Sequence, residues 1–193
     1  MFLTKDFPPS PPPKLLIVEQ KDFAEWTSLN DTIMGGASQA SCTVTSKGLL
    51  LNGILIAEGG GFVSCRSPFF SPSLNLSKYR GLQIEVDGQG RTLKFGVSCE
   101  SSVFGLGRLL SGNLRWVASI PTKKEGMTTI RIPFDSLEPA IRAKPVILPV
   151  KFDPSCINQF QLLHSKFGQS GKMNPGFKPG PIRILLSSIN AYS

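Results

Sequence analysis

Apolar residues recur at every second position along most of the chain. In GLQIEVDG, Leu82, Ile84 and Val86 alternate with Gln83, Glu85 and Asp87. RTLKFGVSC places Leu93, Phe95, Val97 and Cys99 in one phase, and LRWVASI does the same for Leu114, Trp116, Ala118 and Ile120. TTIRIPF aligns Ile130 with Ile132, and PIRILLSSINAY aligns Ile182, Ile184 and Leu186. A period of two is the mark of a strand with one buried face. GLLLNGILIA is apolar in both phases, which suits a strand buried between two layers. DGQG, SKG, SGN and KKEG separate these segments and carry turn chemistry. Eight or more short strands with no sustained helical stripe predict an all-β protein, a two-sheet β-sandwich or jelly roll. Only DSLEPAIRA reads as a helical turn, kept short by Pro139.

Two segments break the rhythm. Residues 1–14, MFLTKDFPPSPPPK, hold five prolines and read as a flexible, polyproline-like leader. Residues 164–181, HSKFGQSGKMNPGFKPGP, hold four glycines, three prolines and three lysines without alternation. A loop of that length is usually functional or disordered. The expectation is a segment disordered in isolation that orders on a partner, with Lys166, Phe167, Lys172, Phe177 and Lys178 as its contact residues. Residues 15–193 otherwise read as a single domain without internal repeats.

Composition agrees with the pattern and adds charge. Gly 19 and Pro 16 favour turns over helices. The leader lacks the apolar run of a secretory signal and the Arg-rich amphipathicity of a transit peptide. No segment is long and apolar enough to span a bilayer. The expected location is cytoplasmic, with peripheral contact at a thylakoid or plasma membrane. Of the net charge of +8, residues 140–193 carry +6, from seven Lys/Arg against Asp153 alone. A basic C-terminal third suits an acidic partner, anionic lipid or RNA phosphate. The absence of a Lys/Arg run with interleaved aromatics argues against nucleic acid. Cys42, Cys65, Cys99 and Cys156 form no C-x-x-C pair and read as free thiols in a reducing compartment. A Cys42–Cys65 bridge would require their strands to be adjacent.

A catalytic constellation is hard to assemble. His164 is the single histidine, so any Ser-His-Asp or Cys-His arrangement would have to use it. No nucleophile elbow is present, and His164 reads better as a structural residue at a strand end. The thirteen acids are scattered. GLGRLLSG, residues 105–112, has the wrong spacing for a phosphate loop and reads as the cover of a hairpin end. EGGGFVSCRS lacks the lysine and following helix of a nucleotide site, and its glycines suggest a bulge or a close backbone approach. No cofactor or metal is expected.

Two strings carry a family resemblance. WTSLNDTIMGGAS supplies Trp26, Asn30, Asp31, Met34, Gly35, Gly36 and Ser38; GGGFVSCRS supplies Gly60, Gly61, Phe62, Ser64 and Arg66. Together they resemble the complex I intermediate-associated protein 30 kDa family, and YRGLQIEVDGQGRTLKF, IRIPF and GPIRILLSSINAY follow that family's later blocks in order. The chain departs from it at Asp87-Gly88-Gln89-Gly90, where a Gly-Asp-Gly string is common, and at Arg142-Ala143, where Arg-Gly is common. The resemblance implies a galactose-binding-like jelly roll and a non-catalytic role as an assembly factor. Its partners would be subunits or intermediates of a membrane bioenergetic complex, either respiratory or NDH complex I or a photosystem. It also implies a stand-alone, cyanobacterial-type member.

Two other functions stay open: a carbohydrate-binding module, because related jelly rolls bind sugars, and an RNA-associated factor in photosystem subunit expression. The motif residues read as architecture. Gly35 and Gly36 would supply unusual backbone conformations, Asn30 and Asp31 would bond the turn's own amides, and Met34 would plug the core edge beside Trp26. A pairing of Asp31 with Arg66 would tie the two strings together. The alternative is direct contact with a ligand or partner.

Overall fold

A computed structural model describes residues 14–99, 114–141, 144–147 and 151–193. Outside them lie the leader up to Pro13, the SGN and GLGRLLSG stretches, and Arg142-Ala143. The strands are β1 Leu15–Val18, β2 Thr27–Asn30, β3 Gln39–Thr45, β4 Gly48–Leu55, β5 Phe62–Arg66, β6 Gly81–Asp87, β7 Thr92–Cys99, β8 Leu114–Pro121, β9 Thr128–Pro133, β10 Glu138–Ile141, β11 Lys144–Pro145, β12 Ile157–Ser165 and β13 Gly180–Tyr192. They form two antiparallel sheets, as the alternation predicts. One runs β3-β4-β13-β6-β9, with β1 added beside the C-terminal half of β13. The other runs β11-β10-β8-β7-β12-β5-β2.

The core lies between the sheets and takes one phase from each strand. Leu82, Ile84 and Val86 of β6 face Leu93, Phe95 and Val97 of β7, all fully buried, with Trp116, Ile120, Phe160 and Leu162 alongside. Each such side chain contributes about 1.5–3 kcal/mol by leaving water. In β13 the buried phase shifts. Ile182, Ile184 and Leu186 point inward, a register break follows between Leu186 and Ser188, and Ile189 and Ala191 then take the inward positions. The bulge lets one long strand keep a buried face along its length.

Several local expectations change. β4 packs on one side only: Leu49, Leu51 and Leu55 are buried, whereas Ile54 is 55% exposed. Being apolar in both phases did not mean being covered on both faces. Of DSLEPAIRA only Asp135 and Ser136 belong to a 3-10 turn, Phe134–Ser136, and Glu138–Ile141 is strand β10, paired with β8. Cys42 and Cys65 form a disulfide, with Cα atoms 6.0 Å apart. It joins β3 of the first sheet to β5 of the second, so the free-thiol reading fails for this pair. The alternation hid it because adjacency between sheets leaves no trace in sequence spacing. Cys99 and Cys156 are not disulfide-linked, and burial pushes the Cys99 thiol up.

The 164–181 segment is also not the loop expected. Its first two residues end β12. Asn174, almost fully buried, donates through Nδ2 to the Thr92 and Ser165 carbonyls and accepts from the Gly176 amide. The Lys166 amide donates to Gly61, and the Asn174 amide to Lys166. These bonds hold the segment on the sandwich without a partner.

Candidate functional site

The two motif strings meet at one buried carboxylate. Asp31 opens a 3-10 turn, Asp31–Met34, that ends at Gly35 in the left-handed region with φ of 85°. Asp31 is fully buried, and its Oδ1 accepts from the Ser38 amide at 2.9 Å. Its Oδ2 accepts from the Ser38 hydroxyl at 2.7 Å, the Gly61 amide at 2.6 Å and the Phe62 amide at 3.3 Å. Burial by itself raises the carboxyl's pKa, but these bonds outweigh it and hold the group below its ordinary value. Ser38 carries the link onward, its hydroxyl oxygen accepting from the Ile56 amide at 2.9 Å. A Cβ added to Gly36 or Gly60 would land inside the Asp31 side chain, so these glycines clear space rather than supply unusual torsions.

The remaining motif residues divide. Trp26 is buried and packs edge-on against Phe23 at 5.4 Å. Asn30 donates across to the Ala40 carbonyl. Met34 does not plug the core: it is 70% exposed, because the turn projects it outward. Arg66 does not pair with Asp31. Asp31 turns its carboxylate toward the amides of its own string and of Gly61-Phe62, while Arg66 extends from the outer face of β5.

Arg66 belongs to a second cluster. Outer-phase residues of β5, β12, β7, β8 and β10 form one face of the seven-stranded sheet. The register sets Arg66 opposite Gln161, Gln161 opposite Gly96, and Lys94 opposite Leu163 and Ser119. Arg115 on β8 donates to Ser98, and Gln161 donates to the Ser64 hydroxyl, which itself bonds the Leu29 carbonyl. A Cβ at Gly96 would sit 3.7 Å from Gln161 and 3.8 Å from Arg115, so the bare backbone there makes a floor between them. A pocket of about 80 Å³ opens on this face, lined by Lys94, Arg115, Gln161, Leu163 and Gln169 among others. Gln169 reaches it from the 164–181 segment, accepting from the Ser119 amide at 2.8 Å.

Lys94 is buried and Arg66 and Arg115 are half-buried, with no counter-charge among the described residues. Lys94 is only 4% exposed, and burial pushes its pKa down to about 8. Burial pushes Arg115 down to about 10, with the nearby Arg66 charge adding to the effect, and burial lowers Arg66 as well. Among the described residues the only ion pairs are Lys14–Glu85 and Lys21–Glu19, so no acid pairs with this trio. Arg66 Nε and Gln159 Oε1 are buried and make no hydrogen bond. Sequence reading missed Lys94, Arg115 and Gln161 because each looked like an ordinary solvent-facing residue of its own strand. The available signal was a cation in the polar phase of three strands with hardly an acid beside it.

Of the 164–181 residues, Phe177 stacks on His164 at 5.5 Å, Lys166 lies against Gly61, and Phe167 bridges to Met173. Lys172 and Lys178 are exposed. His164 is fully buried, with Nδ1 on the Thr92 carbonyl and Nε2 accepting from the Lys178 amide. Both ring nitrogens are therefore occupied, and burial lowers its pKa to about 4. Among the described residues no group of three His, Cys, Asp or Glu is placed to hold a metal, and no helix is long and apolar enough to cross a membrane.

The fold and motifs agree with what known proteins show. The family described as Complex I intermediate-associated protein 30 (CIA30) matches residues 15–186, so the chain belongs to it. No curated protein sequence matches the chain. Among solved structures it is similar to the family 11 carbohydrate-binding module of the cellulosomal cellulase Lic26A-Cel5E of Clostridium thermocellum. That match has a TM-score of 0.67 and 15% identity, covering 94% of this chain and 95% of that one. The Clostridium thermocellum module in complex with a β-1,3-1,4-mixed-linked tetrasaccharide matches with a TM-score of 0.65 and 16% identity, over 93% and 95% of the two chains. An agarase matches with a TM-score of 0.55 and 8% identity, over 93% of this chain but 24% of that one. At these identities the likeness is one of fold: a two-sheet jelly roll.

Proposed function

We propose that this member of the CIA30 family is a non-catalytic binding factor in the assembly of a membrane bioenergetic complex, a respiratory or NDH complex I or a photosystem. Family membership over residues 15–186 carries the reading. The site chemistry supports it. The one histidine is buried with both nitrogens engaged, and the motif carboxylate is spent on four hydrogen bonds. Neither is free to act as a general base. The factor would work by holding an assembly intermediate, with contact at the membrane made from the periphery. Affinity purification of tagged chain from native membranes tests this. Recovery of a defined subset of complex subunits is expected, and recovery of none overturns the proposal.

Carbohydrate binding is the second reading, favoured by the fold shared with carbohydrate-binding modules. Sugar faces commonly offer exposed Trp or Tyr rings for stacking. Here Trp26 and Trp116 are buried in the core, and Tyr192 lies on the other sheet under the Arg131 guanidinium. A glycan array without hits would dispose of this reading.

A further inference from the structure

The polar face of the seven-stranded sheet is unusual in its charge. Arg66, Lys94 and Arg115 stand on three different strands, close enough that Arg66 disfavours the charge on Arg115. Burying Lys94 with no counter-charge among the described residues costs free energy that folding does not require. A fold selected for stability alone would place apolar or neutral side chains at these positions. The arrangement also has the parts of a receptor. A pocket of about 80 Å³ lies between Lys94 and Arg115, and Gln161 and Gln169 also line it. Arg66 Nε is a buried donor with nothing to donate to.

Guanidinium groups present parallel N–H donors that match the two oxygens of a carboxylate or phosphate, and a lysine adds a point charge. The pocket suits one such group and little more. Glu138 lies in the outer phase of β10, two positions from Ala140 at the pocket's edge, yet makes no ion pair with the trio. Glu138 therefore does not close the site from within.

We infer that this face is a binding site for a single oxyanion, a carboxylate or a phosphate, held in the pocket by Arg115 and Lys94, with Arg66 adding positive charge from β5. The inference does not depend on which complex the chain serves. A free anion would bind whether or not a bioenergetic subunit is recovered in a purification. The shared chemistry has two sources, a phosphate group or the acidic side chains of a protein segment, and two probes separate them.

The test is an amide NMR titration of the isotopically labelled full chain at constant ionic strength. Inorganic phosphate is the first probe, and a short blocked Glu-Glu peptide the second. Saturable shifts centred on Lys94, Arg115 and Gln161 are expected for at least one probe, and the probe that saturates first identifies the source. Arg115→Gln should weaken that binding at least about tenfold, the loss of one charge-assisted pair. Lys47→Gln, on the exposed β3–β4 turn, should leave it unchanged. Lys94→Met is the second variant should Arg115→Gln fail to fold, with the same loss expected. Shifts that never saturate, that spread over the surface lysines, or that survive either pocket variant would overturn the inference.

Discussion

Asp31 and Lys94 are both charged and both buried, 0% and 4% exposed, yet the molecule treats them in opposite ways. Around Asp31 the chain gathers three amides and a hydroxyl, and two glycines give up their side chains to make room. Beside Lys94 stands Arg115, and no acid among the described residues pairs with either. Removing a charge from water is costly unless hydrogen bonds or an opposite charge replace the lost solvent. At Asp31 that replacement is complete inside the chain. At Lys94 no acid among the described residues supplies it. The first arrangement fastens the fold; the second is poised to bind.

Breaking the fastening should give the largest effect. Asp31→Ala strands the Ser38 hydroxyl and three amides in the interior, and the expected loss is about 4 kcal/mol of unfolding free energy. Asp31→Asn keeps the shape but turns an acceptor into a donor, and should cost about half as much. Urea denaturation of both variants checks the ordering. If Asp31→Ala were as stable as wild type but lost a partner, Asp31 would belong with the binding face instead.

His164 sharpens the contrast from the other side, because it is buried neutral beneath the same positive field. Burial lowers its pKa to about 4, with Arg91, Lys178 and Lys94 adding to the effect, against 6.5 for the unfolded chain. Between those values the unfolded state holds a proton that the folded state refuses. Stability is therefore unaffected above pH 6.5 and falls as the pH drops from 6.5 to 4. The full loss is about 3 kcal/mol. Denaturation midpoints measured across that window should show the decline, and His164→Gln should flatten it.

The disulfide tests whether fastening and binding are separable. Cys42–Cys65 closes a 23-residue separation and ties the two sheets together. Its reduction should cost about 3 kcal/mol by freeing the unfolded chain. The reduced protein, while folded, should keep its anion response, because neither sulfur lies on the cationic face. A thermal melt with and without reductant, each repeated with phosphate, separates the two effects. The expectation of a reducing compartment rested on free thiols and loses that ground for this pair.

The sheets were legible in the sequence because period-two alternation is a local signal, and Leu82, Ile84 and Val86 carry it whatever they pack against. Motif strings were legible as a unit, but not their internal wiring. Nothing in the spacing of Asp31, Gly61 and Arg66 says which pair meets, and the opposite-charge choice was the wrong one. Gly36 and Gly60 look like torsional glycines in sequence and prove to be spatial ones. The 164–181 segment looked structureless because its order comes from contacts with residues far away in the chain: Asn174 donates to the Thr92 carbonyl, the Lys166 amide donates to Gly61, and Gln169 accepts from the Ser119 amide. The cationic face was invisible for a related reason: Arg66, Lys94 and Arg115 come together only through strand order, which alternation does not encode.

The smallest expected effect is also the one that separates the two regions most cleanly. Lys94→Met replaces a buried, unpaired ammonium with an apolar side chain of similar length. Since desolvation is the cause of the lowered pKa, its removal should stabilise the protein at pH 7, by about 2 kcal/mol. The sign of the pH dependence follows from the same cause. Folded Lys94 releases its proton near pH 8, whereas the unfolded side chain holds it to about 10.5. Wild-type stability should therefore rise between those values, and the advantage of the variant should shrink across the same interval. A substitution that strengthens the fold while abolishing the phosphate or peptide response would show that the charge is kept for binding. A variant that is weaker at pH 7, with a gap to wild type that ignores pH, would place Lys94 with Asp31 as part of the architecture.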